Sequence, residues 1–508
     1  MKAFLMHRSE DVDLQLALPA HQQALTQDLE LDTLLTAMAA GDRFLFDVAT
    51  RAVLLSLRDP DAISYRQQVL ADCLENPSIA RELYALAGAA IRAEKSVWGS
   101  TFRDSPKALL QRSVEVMGLL VGFLKRLREI AGEHSADFRS DGFARFFAML
   151  ADELDDEYFE VVDSHLKELK FGGGMLVSAQ LGAGNRGSSY LLRQPREQGW
   201  LERVLDRSGY SFTIPPRDDN GFRALGKLED RGVNVVANAL AQSTDHVLSF
   251  FVMLRTEIGF YVACLNLGEQ LAEKGAATTF PVALDRDQVS LSAHGLCDVA
   301  LTLTVQQPIV GNEINAEHKS LVLVTGANQG GKSTFMRSVG LAQLMTQCGM
   351  FVTARSFRAN VCDGVFTHYK REEDATMQSG KLDEELARMS DIAEHITTNC
   401  MLLCNESFAS TNEREGSEIA RQIIRALLDA GIKVLFVTHM FDLAHGFYTQ
   451  ALDSALFLRA ERGSDGARPF KLVEKEPLDT SYGADSYRQI FGVTPASRVN
   501  RNSLPSSL

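Results

Sequence analysis

Apolar residues recur with the period of an α-helix over much of residues 41–167. Along the first such stretch, one broad face carries Phe44, Leu45, Val48, Ala49, Ala52 and Leu55. Pro60, which lies between two aspartates, predicts that this helix ends and another begins. Further helical periods cover residues 107–130 and 233–274. The pattern therefore predicts a mainly α-helical domain over residues 41–285.

The periodicity changes at Phe171, which is followed by three glycines and then by two short alternating runs. These runs, residues 175–181 and 188–192, predict two β-strands. The glycines between them fit the Gly-x-Gly-x-x-Gly pattern of dinucleotide-binding sites, but that pattern requires a helix next. We therefore predict a hairpin and no dinucleotide site, within a small β-containing insertion near residues 169–231.

Arginines are frequent in and after this insertion, and acidic residues are interleaved with them. They are Arg193, Arg196, Arg203, Arg207, Arg217, Arg223 and Arg231. A solvated surface is the favoured interpretation. A DNA-facing patch is the alternative, because arginine is a frequent partner of phosphate groups.

Short apolar runs alternate with helical segments over residues 286–493, which predicts an α/β domain. Strands are expected at residues 321–324, 350–354, 401–406, 433–439, 455–459 and 470–473, and helices at residues 332–348 and 415–430. Residues 1–40 show no strong period and form a separate N-terminal segment in this prediction. Residues 494–508 are rich in Ser, Pro and Asn, a composition typical of a disordered tail.

The composition indicates a cytoplasmic protein. No apolar run reaches the ~18 residues that a membrane helix needs, and the first residues lack the apolar core of a signal peptide. The seven cysteines are scattered, and we expect buried thiols in preference to a metal site. The net charge of −14 argues against broad nucleic-acid affinity, although it leaves room for a local basic surface.

A glycine-rich loop follows the apolar run of residues 321–324 and precedes a predicted helix. Its residues are Gly326, Ala327, Asn328, Gln329, Gly330, Gly331, Lys332, Ser333 and Thr334. Strand, Gly-x4-Gly-Lys-Ser loop and helix is the order of a phosphate-binding loop for a nucleoside triphosphate. The backbone N–H groups and the helix N-terminus bind phosphate in such loops. Lys332 is then expected to reach the β- and γ-phosphates and Ser333 to bind Mg²⁺.

Two further buried strands of this domain end in polar residues. The first ends in Asn405 and Glu406, where such ATPases normally carry Asp, which binds Mg²⁺, and then Glu. Glu406 is the candidate general base, and Asn405 places a neutral amide at the Mg²⁺ position. The second strand ends in His439, for which we favour a contact with the γ-phosphate or the attacking water over a role in the core.

The order of these motifs resembles the MutS family of DNA mismatch-repair ATPases, a branch of the ABC-type ATPases. The matching residues are Ile309–Glu313, Thr325–Met336, Asp363–Thr367, Asn405–Glu406, Ser410–Thr411, Glu415–Gly416, Phe436–His439 and Ser481–Gly483. The resemblance implies an ABC-type sheet with helices on both faces, binding of ATP and Mg²⁺, and a homodimer on DNA. Upstream, residues 59–77 and 243–281 are similar to the family's helical core and lever.

The resemblance also implies roles for single residues. Asn328 takes the place of an asparagine that contacts the γ-phosphate. Ile309 and Val310 fall near the position of an aromatic that packs on adenine. The loop that completes the partner's site maps to Ser379, Gly380 and Lys381, with Leu382 where the family has a serine.

The chain also departs from the family pattern, since residues 1–40 leave no room for the family's N-terminal mismatch-reading domain. We therefore expect a short MutS-related form that binds duplex, mismatched or branched DNA as a nucleotide-gated dimer. The alternative is an ATP-dependent scaffold or regulator without DNA binding. A transporter ATPase is disfavoured because the Leu-Ser-Gly-Gly-Gln motif is absent.

Overall fold

A computed structural model describes residues 1–97, 105–172, 174–193, 213–371, 380–463 and 467–478. The chain divides into two compact units. The first comprises residues 1–12 and 72–261, and the second comprises residues 13–71 and 262–508. The domain limits expected after residues 40, 285 and 493 stay a prediction, because motif boundaries and compactness are different criteria.

The described residues contain fourteen α-helices and twelve strands. The helices are α1 (Gln22–Asp28), α2 (Leu31–Ala39), α3 (Arg43–Leu54), α4 (Pro60–Glu75), α5 (Pro77–Ser96), α6 (Pro106–His134), α7 (Asp141–Glu153), α8 (Asp156–Glu168), α9 (Asp219–Glu273), α10 (Val299–Thr304), α11 (Lys332–Gln347), α12 (Lys381–His395), α13 (Glu413–Asp429) and α14 (Phe441–Tyr448). The strands are β1 (Leu176–Leu181), β2 (Gly187–Arg193), β3 (Val282–Leu284), β4 (Leu291–Leu296), β5 (Asn312–Asn315), β6 (Leu321–Gly326), β7 (Ser356–Asn360), β8 (Val365–Tyr369), β9 (Met401–Asn405), β10 (Lys433–Val437), β11 (Ala455–Ala460) and β12 (Leu472–Glu474).

Three helices of the first unit begin at side chains that satisfy their free N–H groups. Ser105 accepts a hydrogen bond from the backbone of α6, Ser140 from that of α7 and Asp155 from that of α8. Serine and aspartate are favoured at this position because their oxygens reach an N–H group that has no partner within the helix. These caps explain why helices in this region start where they do.

Helix α9 begins fourteen residues before the predicted start at Val233, since it starts at Asp219. Its first turns contain three glycines and carry no continuous apolar face, so propensity and periodicity both fail there. Further along, α9 is the one helix among the described residues that is long and apolar enough to cross a membrane. However, 72% of that apolar window is buried within the protein, as in a core helix.

Strands β1 and β2 form the expected antiparallel hairpin, with Leu176 opposite Arg193. The glycine pattern occupies the turn between them, and Gly184 there has a φ of 68°. A strand follows the pattern in place of the helix that a dinucleotide site requires. The glycines of the pattern therefore form the turn of the hairpin.

The second unit contains a six-stranded sheet with the order β12-β11-β6-β10-β9-β8. All neighbours are parallel except β11 and β12. The parallel strands are buried along nearly their whole length, which explains their continuous apolar sequences. Because the carboxyl ends of parallel strands meet at one edge, the residues after β6, β9 and β10 lie together. A second sheet has the order β3-β7-β4-β5.

Helices cover both faces of the six-stranded sheet. Leu402 and Cys404 of β9 lie in one buried cluster with Ile424 of α13. Leu403 points to the opposite face, where a Cβ placed on Gly340 of α11 would lie 2.6 Å from its Cδ1 atom. Glycine at position 340 therefore allows α11 to lie close against the sheet.

Two sequence expectations differ from the structure. The strand expected at residues 350–354 is reduced to one isolated bridge between Thr279 and Val352, and the strand lies instead at Ser356–Asn360. Residues 1–40, in which no strong period was recognised, contain α1 and α2. The buried residues Leu31, Leu34, Leu35, Met38 and Ala39 of α2 recur with the period of one helix face, so this helix was recognisable in the sequence.

The burial of the cysteines agrees with the prediction of buried thiols. All seven cysteines are free thiols, and all except the half-buried Cys297 are buried. Within the described part of the chain, no group of three or more His, Cys, Asp or Glu side chains is arranged to hold a metal. The sequence also predicts a short helix near Tyr487, and this segment and the tail from Thr494 lie outside the described residues.

Candidate functional site

The glycine-rich loop connects β6 to α11 and has the backbone conformation that only glycine adopts freely. Gly326 has a φ of 105°, and a Cβ there would lie 2.8 Å from the backbone nitrogen of Ala460. Gly331 has a φ of 86° and immediately precedes the first residue of α11. The first N–H groups of a helix have no partner within it, so this turn directs free donors and the positive helix end at the loop. The arrangement is suited to an anion.

Lys332 lies inside the loop that it belongs to. Its Nζ atom donates hydrogen bonds to the carbonyl oxygens of Gly326 and Ala327, each at 3.1 Å. The side chain is 5% exposed, and this burial lowers the pKa of its ammonium group, an effect that the nearby Glu406 carboxylate opposes. The carbonyl groups of the loop therefore hold this ammonium group at the centre of the loop without a bound anion.

Ser333 and Asn405 face each other across the edge of the sheet. The Ser333 hydroxyl donates a hydrogen bond of 2.9 Å to Oδ1 of Asn405. Two neighbouring oxygen ligands of an octahedral Mg²⁺ at ~2.1 Å are separated by about 3.0 Å, so this pair fits one edge of such a site. Two protein ligands suffice at such a site, because Mg²⁺ usually keeps water molecules and substrate phosphates as its other ligands.

Glu406 and His439 follow the neighbouring strands β9 and β10. The Nδ1 atom of His439 lies 3.6 Å from Oε2 of Glu406. Glu406 has a φ of 54°, a strained value for this residue type, and its N–H donates to the carbonyl of Val437. The neighbouring His439 imidazole is the largest cause that lowers the pKa of Glu406, and Lys332 acts in the same direction. The carboxylate is therefore ionised at neutral pH.

The loop that follows Glu406 is tied to helix α12. Ser410 donates a hydrogen bond of 2.8 Å to Oε1 of Glu385, and the Ser407 hydroxyl donates to the carbonyl oxygen of His368. Burial lowers the pKa of His368 to about 4, so this side chain is neutral at physiological pH. The contacts connect the segment that carries Glu406 to the helix that begins at Lys381.

The segment expected to complete a partner's site is only partly described. Ser379 lies outside the described residues, Gly380 precedes α12, and Lys381 is its first residue. Leu382, where a serine was expected from the resemblance, packs against the buried cluster of the sheet. Its apolar side chain thus has a packing role in this chain.

A cavity of about 700 Å³ lies beside the phosphate loop. Ile309 and Val310, expected at a base-binding position, line it together with Gln329, Gly331 and Thr334 of the loop. The opening therefore borders the residues expected to hold phosphates, and its volume suits a nucleoside.

Two further residues at this site, Phe470 and Arg468, were not expected from the sequence. Phe470 lines the same cavity and is 50% exposed, in a left-handed conformation with a φ of 56°. Asn312 fixes it, since its Nδ2 atom donates to the Phe470 carbonyl at 3.0 Å and its Oδ1 atom accepts from the N–H of Leu472. Arg468 donates to the carbonyl oxygen of Asn328 at 3.2 Å. No periodic signal marks either residue, because tertiary contacts alone place them at the loop.

Two family comparisons cover most of the chain. Residues 58–274 match the family described as MutS2 N-terminal domain, and residues 322–501 match the family described as MutS domain V. The second match contains the phosphate loop, Asn405, Glu406 and His439.

Three individual proteins to which the chain is similar are also MutS proteins. The chain is 30% identical over 250 residues to the DNA mismatch repair protein MutS of Clostridium botulinum, which covers 43% of this chain and 26% of that relative. It is 26% identical over 301 residues to the MutS of Thermus aquaticus, covering 58% of this chain and 35% of that relative. For the MutS of Thermotoga neapolitana, the identity is 33% over 171 residues, with 33% of this chain and 21% of that relative covered. The matches thus span between about a fifth and a third of the relatives' length.

Proposed function

The chain belongs to the MutS family, and we propose that its second unit binds ATP with Mg²⁺ and hydrolyses it to ADP and phosphate. One observation carries this proposal. The phosphate loop, the Ser333–Asn405 pair and the Glu406 carboxylate lie together at one edge of a single sheet. An anion cradle, Mg²⁺ ligands and an ionised base are the groups that hydrolysis of a phosphoanhydride requires.

In this mechanism each group has a separate task. The loop N–H groups from Gly326 to Thr334 and the Lys332 ammonium bind the phosphate oxygens. Ser333 and Asn405 would hold Mg²⁺, which supplies positive charge against the charge that develops on the phosphates. The Glu406 carboxylate accepts a proton from the attacking water. His439, which lies beside that carboxylate, would contact the γ-phosphate or the attacking water.

The base of the nucleotide would occupy the cavity next to the loop. Ile309 and Val310 offer an apolar wall, and Phe470 offers a ring on which a purine can stack. Asn328 of the loop would contact the γ-phosphate, and Gln329, which lines the cavity, would border the base.

Measurement of ATP hydrolysis by the purified full chain tests this function directly. We expect phosphate release that requires both ATP and Mg²⁺. We expect ADP to inhibit it by competing with ATP for the site. The absence of hydrolysis together with the absence of ATP binding would reject the proposal.

DNA is the proposed partner, in repair or recombination, and the acting species is a homodimer whose arrangement depends on the nucleotide. The relatives named as DNA mismatch repair proteins support this part. The Gly380–Lys381 segment would complete the partner's site, and arginines of the 169–231 region, among them Arg193 and Arg231, would contact the backbone of DNA. The free cysteines support a cytoplasmic location.

An ATP-dependent scaffold without DNA binding is the second candidate, and the net charge of −14 favours it. A panel of plain, mismatched and branched duplexes separates the two. If DNA is the partner, we expect the logarithm of the association constant to fall linearly with the logarithm of salt concentration. We also expect the size-exclusion profile of the protein to change with the nucleotide that is bound. No binding to any of the three DNAs at low salt with nucleotide present would favour the scaffold.

Restoring a carboxylate at position 405 is expected to speed ATP turnover. In an Asn405→Asp protein, a charged oxygen replaces a neutral amide next to the Mg²⁺ site, so the apparent affinity for Mg²⁺ should rise roughly tenfold. Steady-state hydrolysis across a Mg²⁺ titration measures both effects. Asn238→Asp, in the exposed part of α9, adds the same charge outside the site and serves as control. An unchanged rate and an unchanged Mg²⁺ requirement would count against the role of Asn405.

Removing the ring of Phe470 is expected to weaken nucleotide binding. Stacking of a base on an aromatic side chain contributes about 1–3 kcal/mol, so Phe470→Ala should raise the dissociation constant for ATP about fivefold to 150-fold. Calorimetric titration measures the change. Phe470→Tyr keeps the ring and should bind as wild type does. Equal affinities of the wild-type and alanine proteins would place the base elsewhere.

A further inference from the structure

A second cavity lies on the other side of the wall that borders the base cavity. Its volume is about 400 Å³, room for about a dozen water molecules. Half of the residues that line it are polar, and three of these carry cationic side chains: Lys274, Arg355 and Lys471. The proposed ATPase mechanism uses none of them.

The cations converge on one region of this cavity. Lys471 and Arg355 both act to lower the pKa of the Cys297 thiol, against a larger opposing effect of burial, so both charges lie near this sulfur atom. Lys274 donates a hydrogen bond of 2.9 Å to the carbonyl of Val305, and Lys471 donates to the carbonyl of Gly311. An ammonium group has three N–H donors, so each lysine keeps further donors for a ligand.

The acidic residues of the cavity do not cancel this charge. Glu313 is bound by His294, with 2.7 Å between Oε2 and Nδ1. Glu273 is the other carboxylate among the lining residues. Three permanent cations thus face two carboxylates, one of which already has a partner.

We propose that this cavity binds a small phosphate-bearing anion, separate from the nucleotide in the phosphate loop. Two half-buried lysines and an exposed arginine around a polar cavity are the groups that bind phosphate oxygens, with the arginine able to form paired hydrogen bonds.

The same segments form the wall of both cavities. Val305, Pro308 and Ile309 line the two, and Phe470 of the base cavity is followed directly by Lys471 of the second. A ligand held by Lys471 therefore binds one face of a wall whose other face borders the base.

Inorganic pyrophosphate is a suitable probe, titrated calorimetrically at near-physiological ionic strength without Mg²⁺. The titration uses the full chain with Lys332→Met, so that the phosphate loop contributes little and the result does not depend on ATP hydrolysis. We expect one saturable site per chain. Lys471→Met or Arg355→Gln in this background should weaken it at least about tenfold, the loss expected for one charge-assisted phosphate contact.

Lys475→Met is the matched control, because Lys475 pairs with Glu461 and is not among the lining residues. It should leave pyrophosphate binding unchanged. If circular dichroism shows that Lys471→Met does not fold, pyrophosphate binding by the Arg355→Gln variant alone tests the proposal, because Arg355 is exposed. No saturable binding, or binding that the cavity variants do not weaken, overturns the proposal. Displacement of pyrophosphate by a short DNA duplex overturns the assignment to a small ligand.

Discussion

A Glu406→Gln protein is expected to hydrolyse ATP about 10²- to 10⁴-fold more slowly than wild type, the usual contribution of a general base. Glutamine has the size of glutamate and keeps a hydrogen-bonding partner for His439, but it cannot accept the proton of the attacking water. ATP affinity should change little, because Lys332, Ser333 and the loop backbone are untouched. The variant therefore separates turnover from binding.

Single-turnover hydrolysis and calorimetric binding of ATP measure the two quantities. Glu418→Gln is the control, since Glu418 is an exposed residue of α13 that pairs with Arg421. Wild-type hydrolysis in the Glu406→Gln protein would remove Glu406 from the mechanism. A parallel loss of binding would instead show that the carboxylate holds Mg²⁺ or the loop in place.

The pH dependence of wild-type hydrolysis bears on the same residue. His439 and Lys332 lower the pKa of Glu406, so the carboxylate stays ionised below the ordinary glutamate range. The base is therefore retained as pH falls and is lost only when pH passes through this lowered pKa. An acid limb above the ordinary glutamate range would point to a different titrating group.

The sequence was most informative where chemistry lies at the ends of buried strands. Asn405 and Glu406 follow one apolar run and His439 another, and the parallel register of β9 with β10 brings the two ends together. Parallel strands are buried on both faces, so both the strands and their polar ends are visible in the sequence. Their catalytic roles stay predictions until the variants are measured.

What the sequence missed depends on contacts between distant segments. Phe470 is positioned by Asn312, 158 residues away, and both lie outside any periodic pattern. The glycines at the start of α9 likewise argue locally against a helix that the structure nevertheless contains. In each case tertiary packing overrides local preference.

A Lys332→Met protein is expected to lose both binding and hydrolysis of ATP. A charge-assisted hydrogen bond contributes roughly 1.5–3 kcal/mol, so ATP affinity should fall about tenfold to 150-fold. The fall in hydrolysis should be larger, because the ammonium also stabilises charge that develops on the phosphates during the reaction. Methionine retains most of the side-chain volume and removes the charge.

The ligand-free variant should unfold at a temperature equal to or above that of wild type. Burial lowers the pKa of Lys332, so the folded state disfavours the ammonium that is present at neutral pH. For a lysine whose pKa is lowered on folding, the unfolded state binds more protons than the folded state does. The protonated lysine therefore lowers the free energy of unfolding, and this loss of stability disappears only as pH rises. Removing the charge relieves it at every pH, against the loss of two hydrogen bonds to loop carbonyls.

Thermal unfolding with and without ATP measures binding and stability in one experiment. In wild type, ATP at a hundredfold excess over its dissociation constant should stabilise the protein by about 2.7 kcal/mol, and at the same concentration this gain should fall to about 0.3–1.4 kcal/mol in Lys332→Met. Lys319→Met, which removes a lysine that binds the carbonyl of Asp453, should keep the gain. An equal shift in all three proteins would contradict the role of Lys332, whereas a low unfolding temperature of the ligand-free variant would show that its ammonium is needed for the fold of the loop.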